Sequence, residues 1–229
     1  MGIGGKGSVM DSGEMGALDL VPNARGAVVF DVGANVGDFC RAVLERKPLA
    51  AVHCFEPSLA TFATLKDLLD GECRVVLNQI ALGSSVGRQI LYADERRSGM
   101  ASLHRRRLDH FGIEFKIEEQ VAIDTIDNYC AQKCISSIDL LKIDVEGHEL
   151  SVLRGGELLF GRRGVKAALF EFGGTQIDSR TFVQDFYYFF KFHGMRLNRV
   201  TPTGYLHPIQ SYRELYEQFA YTNFVATLQ

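Results

Sequence analysis

From residue 27 onward the chain alternates between two hydrophobic rhythms. Short apolar runs, of the length of a strand buried on both faces, give way to stretches whose apolar positions return every three or four residues. The runs predict strands over 27–32, 51–56, 74–78, 138–144, 166–172, 195–200 and 221–228. The helical rhythm predicts helices near 37–46, 58–69, 124–133, 148–154, 180–192 and 211–219. Ser58 and Asp124 suit helix N-caps, and Gly71 and Gly155-Gly156 suit helix ends. Such alternation is the pattern of an α/β fold, a mostly parallel sheet with crossover helices on both faces.

Two regions break the rhythm. Residues 1–26 are rich in glycine and read as a flexible tail and lead-in, leaving 27–229 as a single domain. Residues 83–123 hold a turn (83–87), a short strand (89–92), a polar stretch and a second strand-like piece (115–123). That is long for a connection, and insertions of this kind often cover an active site.

A length of 229 residues suits one large domain, and 46% hydrophobic with 23% charged residues is ordinary globular composition. A net charge of −3 disfavours bulk binding to nucleic acid. Five cysteines with no C-x-x-C pair read as buried thiols rather than disulfides or a zinc site. Neither a signal-peptide pattern nor an apolar stretch near eighteen residues is present, which predicts a cytoplasmic protein without a membrane span.

The first apolar run ends at Asp31, and the glycine-rich turn Gly33-Ala34-Asn35-Val36-Gly37 follows, opening into a helix. Glycine there lets the main chain approach a nucleotide-like ligand. The spacing is not G-x-G-x-x-G, and an acid before the loop would repel a pyrophosphate. A cationic ligand such as S-adenosylmethionine suits it better. About twenty residues on, Glu56 stands at the tip of the second strand, kept extended by Pro57 and placed to accept ribose hydroxyls. Ile80 and Ala81, after the third strand, could border an adenine.

A second dense stretch is Asp144-Val145-Glu146-Gly147-His148-Glu149, at the end of another strand, with Glu171 closing the next. Ligands collect outside the carboxyl ends of strands in open α/β sheets, so Asp144 faces the same crevice as Asp31 and Glu56. Asp144 is the leading candidate for general base, with His148 and Glu171 behind it. Asp144 and Glu171 could instead share a divalent cation. Glu149 has a plainer reading as a helix cap. In the insertion, Ser98 and Ser102 suit a loop closing over cofactor or acceptor. Arg105, within the run Arg105 to Arg107, is either a solvated charge or a clamp on an anionic acceptor. Phe182, Phe186, Tyr187, Tyr188, Phe189, Phe190 and Phe192 exceed what one helical face can bury, leaving a surplus for an acceptor wall or a homodimer seam.

Taken in order, Val29 to Gly37, Phe55-Glu56-Pro57, Asn78 with Ala81-Leu82-Gly83, Ser98-Gly99 with Ala101-Ser102-Leu103, and Asp139 to Glu149 resemble the FkbM-type S-adenosylmethionine-dependent methyltransferases. The resemblance runs from about Ala27 to Glu171. It implies a Rossmann-like seven-stranded sheet whose last strand is antiparallel, and methyl transfer to a hydroxyl of a sugar, glycan or secondary metabolite. It also implies cofactor roles for Asp31, Gly33, Asn35, Gly37 and Glu56, and puts Asp144, Glu146 and Glu171 at the reaction side. RNA methylation and a non-catalytic cofactor-binding module are the alternatives.

Overall fold

The computed structural model describes residues 13–229. Residues 1–12, the first part of the expected tail, lie outside the described residues. The chain forms β1 (Val28–Val32), α1 (Asp38–Arg46), β2 (Ala51–Phe55), α2 (Leu59–Leu69) and β3 (Val75–Asn78). The insertion supplies β4 (Ala81–Leu82), β5 (Gly87–Ala93) and β6 (Ile117–Asp124). Then come α3 (Ile126–Gln132), β7 (Leu140–Ile143), α4 (Glu149–Arg154), α5 (Glu157–Gly161), β8 (Ala167–Phe172), α6 (Thr175–Ser179) and α7 (Val183–Phe192). The last strands are β9 (Met195–Val200), β10 (Leu206–Pro208) and β11 (Thr222–Leu228).

The main sheet has the order β10-β9-β11-β8-β7-β1-β2-β3. β3, β2, β1, β7 and β8 run parallel, and β11 enters antiparallel to both β8 and β9. The sheet therefore has eight strands where seven were expected. The eighth, β10, is a three-residue edge strand folding back antiparallel on β9. A second sheet, β4-β6-β5, holds the insertion against the end of β3.

Strand alternation sends side chains to two separate cores. Phe30, Phe55, Leu141, Ile143, Phe170, Phe172 and Phe224 face one side and pack on α3, α4, α5 and α7. Phe186 of α7 stacks on Phe170 at 4.5 Å between ring centroids. Val29, Val52, Cys54, Leu140, Leu169 and Val225 face the other side, against α1 and α2. The lead-in joins this second core, where a 3-10 helix over Glu14–Leu20 buries Met15, Ala17 and Leu18.

Local chemistry departs from expectation in three places. The helix expected over 211–219 is only a 3-10 turn, Glu214–Tyr216, because Glu217 is used to cap α7 by accepting from the N–H groups of Val183 and Gln184. Thr125, not Asp124, is the N-cap of α3, its Oγ1 accepting from Asn128 N at 3.1 Å. Of the aromatic cluster, Phe186, Tyr187 and Phe190 are buried, whereas Phe182, Tyr188 and Phe192 are exposed.

At Gly155, where α4 ends, a Cβ would fall 2.0 Å from the carbonyl oxygen of Gly83. Its φ of −69° is ordinary, so the need for glycine there is purely steric. Gly155→Ala should cost about 1–3 kcal/mol or more of stability, the range for overpacking. Gly71→Ala, with φ +77° and open space around it, should cost about 1–2 kcal/mol from backbone strain alone. Urea unfolding midpoints would separate the two, and a Gly155→Ala midpoint equal to wild type would refute the contact.

Candidate active site

The glycine loop is folded back onto the next strand. Gly33 N and Ala34 N both donate to Phe55 O at 3.0 Å, and Asp144 N donates to Val32 O at 2.9 Å. Gly33 has φ +78°, and a Cβ there would lie 1.8 Å from Asp144 O. The loop and the Asp144 turn are thus in backbone contact, which only glycine permits.

Glu56 is fixed by the same loop. Its Oε2 accepts from Asn35 N at 3.0 Å and its Oε1 from Ser58 N at 2.9 Å. Burial pushes its pKa up to about 7, against the pull of those two backbone donors. Above it opens a cavity lined by Val32, Gly33, Asn35, Phe55, Glu56, Pro57, Ile80, Ala81 and Leu82. The insertion closes the far wall with Leu91, Ser98, Gly99, Ala101 and Leu103, and the turn after β7 completes it with Asp144, Val145, Glu146 and His148.

Of the residues expected at the site, Gly33, Asn35, Glu56, Pro57, Ile80, Ala81, Ser98, Asp144, Glu146 and His148 line this cavity. Asp31, Ala34, Gly37, Ser102, Arg105 and Glu171 stand off it. Ala34 is buried in the core, and Gly37, with φ +95°, precedes α1 and packs under Leu65. Arg105 is exposed, 6.0 Å from the Tyr92 ring. Ser102 is buried, its Oγ donating to Glu146 O at 2.7 Å and accepting from His104 N at 3.0 Å. Ser98 Oγ, on the wall, donates to Asp94 and accepts from Met100 N.

Asp31 lies behind the loop, off the cavity wall. It is fully buried, and its Oδ1 lies 3.1 Å from Lys142 Nζ, its cross-strand neighbour. Lys142 also donates to Gly33 O at 3.1 Å and lies 3.5 Å from Asp144 Oδ2. Burial opposes the ammonium charge, but Asp31, Asp144 and Glu14 outweigh it and raise the Lys142 pKa. Burial raises the Asp31 pKa, with Lys142 opposing.

The acidic turn after β7 is held from beneath by Glu149. One of its carboxylate oxygens accepts from Val145 N and Gly147 N, each at 3.1 Å, and the other from Gln176 Nε2 at 2.7 Å. Gln176 in turn accepts from Gly173 N at 2.6 Å. Burial pushes Glu149 up to about 7 despite the backbone donors. Burial followed by Asp144 pushes Glu146 up to about 8, with Arg106 opposing. Glu171 is raised well above its ordinary value by burial and then by Asp144, Glu146, Glu149 and Glu14. His148 Nδ1 meets His104 Nε2 at 3.3 Å, and burial with that neighbour lowers its pKa to about 4, leaving it neutral at pH 7. Among the described residues, no group of three or more His, Cys, Asp or Glu is arranged to hold a metal ion.

The sheet order, with β11 antiparallel between β8 and β9, is that of a Rossmann-like α/β fold. The S. mutans protein SMU.1697c, solved in complex with SAH, superposes with a TM-score of 0.52 at 7% identity, covering 98% of this chain and 99% of that one. The chain belongs to the methyltransferase FkbM domain family, whose signature matches residues 31–197. It is 26% identical over 140 residues to the 2-O-methyltransferase NoeI of Sinorhizobium fredii, covering 57% of each chain. It is 30% identical over 156 residues to the 31-O-demethyl-FK506 methyltransferase FkbM of Streptomyces tacrolimicus, covering 58% of this chain and 60% of that one. The chain thus spans less than two thirds of the length of these relatives. Among the described residues, no helix is long and apolar enough to cross a membrane.

The raised carboxyls carry a sign. A group whose folded pKa exceeds its unfolded value adds stability that is fully present below the unfolded pKa and is lost as pH rises through the folded one. Glu56, Glu149 and Glu146, near 7, 7 and 8, therefore destabilise the fold as pH rises toward 9. His148 and His53, both lowered to about 4, act oppositely, but only below their unfolded pKa of 6.5. From pH 6.5 to about 8 the carboxyls dominate, so the melting temperature should fall across that window, and above it the raised thiols of Cys54 and Cys130 act in the same direction. A flat or rising curve by differential scanning calorimetry would contradict the burial of these acids.

Proposed function

We propose that this protein is an S-adenosylmethionine-dependent O-methyltransferase acting on a hydroxyl of a sugar, glycan or secondary metabolite. The observation that carries the reading is the cavity in which the glycine loop, Glu56 and the Asp144 turn converge. The donor set fits the cofactor. Glu56, at the tip of β2, suits a ribose diol. Phe55, Ile80, Leu82 and Leu91 offer apolar surface to a flat base, and Asp144 and Glu146 offer negative charge to a cationic end. Gly33 and Asn35 bring main chain to the same space. The family match and the names of NoeI and FkbM support methyl transfer to oxygen.

Bound there, S-adenosylmethionine would supply a methyl group made electrophilic by the sulfonium. The task of the chain is to align an acceptor oxygen with that carbon and to take the hydroxyl proton as the new C–O bond forms. Asp144 is best placed for the proton. Its side chain is 38% exposed, it lies on the cavity wall, and Lys142 Nζ lies 3.5 Å behind it. His148 is neutral and on the same wall, but one ring nitrogen is engaged by His104. Glu171 stands behind Asp144 and shapes the field there.

The experiment is product detection. Purified protein with S-adenosylmethionine and a panel of glycans and hydroxylated metabolites should give a product 14 Da heavier and equimolar SAH. Asp144→Asn should lower turnover by roughly 10²–10⁴-fold, the usual contribution of a positioned base, a loss that persists at saturating S-adenosylmethionine. Equal turnover by the variant would remove Asp144 from the proton transfer.

A further inference from the structure

The arginine run of the insertion contains one residue unlike its neighbours. Arg105 and Arg107 are exposed, whereas the side chain of Arg106 is only 10% exposed. Its Nη1 donates to Glu146 Oε2 at 2.7 Å. Its buried Nε has no hydrogen-bond partner and lies 3.8 Å from Asp178 Oδ2 on α6. The next residue holds the same acid, Arg107 N donating to Asp178 Oδ1 at 3.4 Å. A guanidinium is thus wedged between the cavity wall and α6 by the strap that also carries Ser98, Gly99, Ala101 and Leu103 onto that wall.

Glu146 needs such a partner. It sits at φ +53°, a left-handed conformation that strains any residue but glycine. Its carboxylate faces Asp144 and Glu149 from its own turn and Glu171 from β8, all of like charge. Arg106 is the cation that opposes them. Ser102 Oγ meanwhile holds the main-chain carbonyl of the same residue at 2.7 Å. Both ends of Glu146 are therefore gripped by the strap.

We infer that Arg106 is a positioning residue of the cofactor site, acting through Glu146. One ion pair aims the Glu146 carboxylate along the cavity and clamps the strap over it, so ligand affinity depends on the pair rather than on either partner alone. The inference rests on the cofactor reading above. An Arg106 that merely stabilised the strap would make its contribution independently of Glu146.

A double-mutant cycle read in SAH affinity distinguishes the two. By isothermal titration calorimetry at pH 8, Arg106→Met and Glu146→Gln should each weaken SAH about tenfold, and the double variant should also weaken it about tenfold rather than a hundredfold. Arg106→Lys, which keeps the charge next to Glu146, should bind SAH within about threefold of wild type. If Arg106→Met fails to fold, Arg106→Gln, which removes the charge but keeps a polar side chain, replaces it in the cycle and is likewise expected to be non-additive with Glu146→Gln. Wild-type affinity in Arg106→Met, or an additive loss near a hundredfold, would overturn the inference. Failure of the wild-type protein itself to bind SAH would instead overturn the methyltransferase reading.

Discussion

One buried ammonium holds the centre of this molecule together. Lys142 rises from the middle of the sheet, inside an otherwise apolar strand, and touches Asp31, the carbonyl of Gly33 and Asp144. A lysine without counter-charges would lose its proton in such a place, and Asp31 without Lys142 would be an orphaned buried charge. Each makes the other tolerable. Removing one partner of such a pair typically costs about 3–5 kcal/mol, so the pair constrains the whole sheet edge. Through it, the glycine loop after β1 and the acidic turn after β7 are set at fixed positions relative to one another.

That arrangement separates the residues that face the cavity from those that hold them. Glu56, Asp144 and Glu146 present carboxylates to the cavity. Asp31, Lys142, Glu149 and Gln176 lie beneath and make the bonds that fix the loops. Among the described residues, the cavity wall carries three carboxylates and no cationic side chain, while the arginines of the insertion either face solvent or, as Arg106, bind an acid. Such a wall suits a positively charged ligand and repels a phosphate.

What was legible in the sequence was local. Apolar runs located β1, β2, β7, β8 and β11 because these are buried on both faces, and also β3 and β9, which are partly exposed. The turn at Gly33 and the extended Glu56 before Pro57 followed from backbone chemistry, and both line the cavity. What was not legible depends on register and on distant partners. Asp31 lies within β1 and Asp144 just after β7, and the buried ion pair with Lys142 on the neighbouring strand holds Asp31 in the interior. Arg105 and Arg106 are indistinguishable as letters, and their roles differ because an extended strap turns alternate side chains to opposite sides. The short edge strand β10 is three residues long and too brief to show a periodicity. The 211–219 segment has helical spacing, but Glu217 is drawn off to the start of α7.

The central claim is that the cavity above Glu56 binds S-adenosylmethionine by its ribose. A charge-assisted hydrogen bond to a hydroxyl contributes about 1.5–3 kcal/mol. Calorimetric titration should therefore show SAH and S-adenosylmethionine both weakened about ten- to a hundredfold in Glu56→Ala, by similar factors because they share the ribose. Unchanged affinity for both ligands in a variant whose circular dichroism matches wild type would place the cofactor elsewhere and contradict the account.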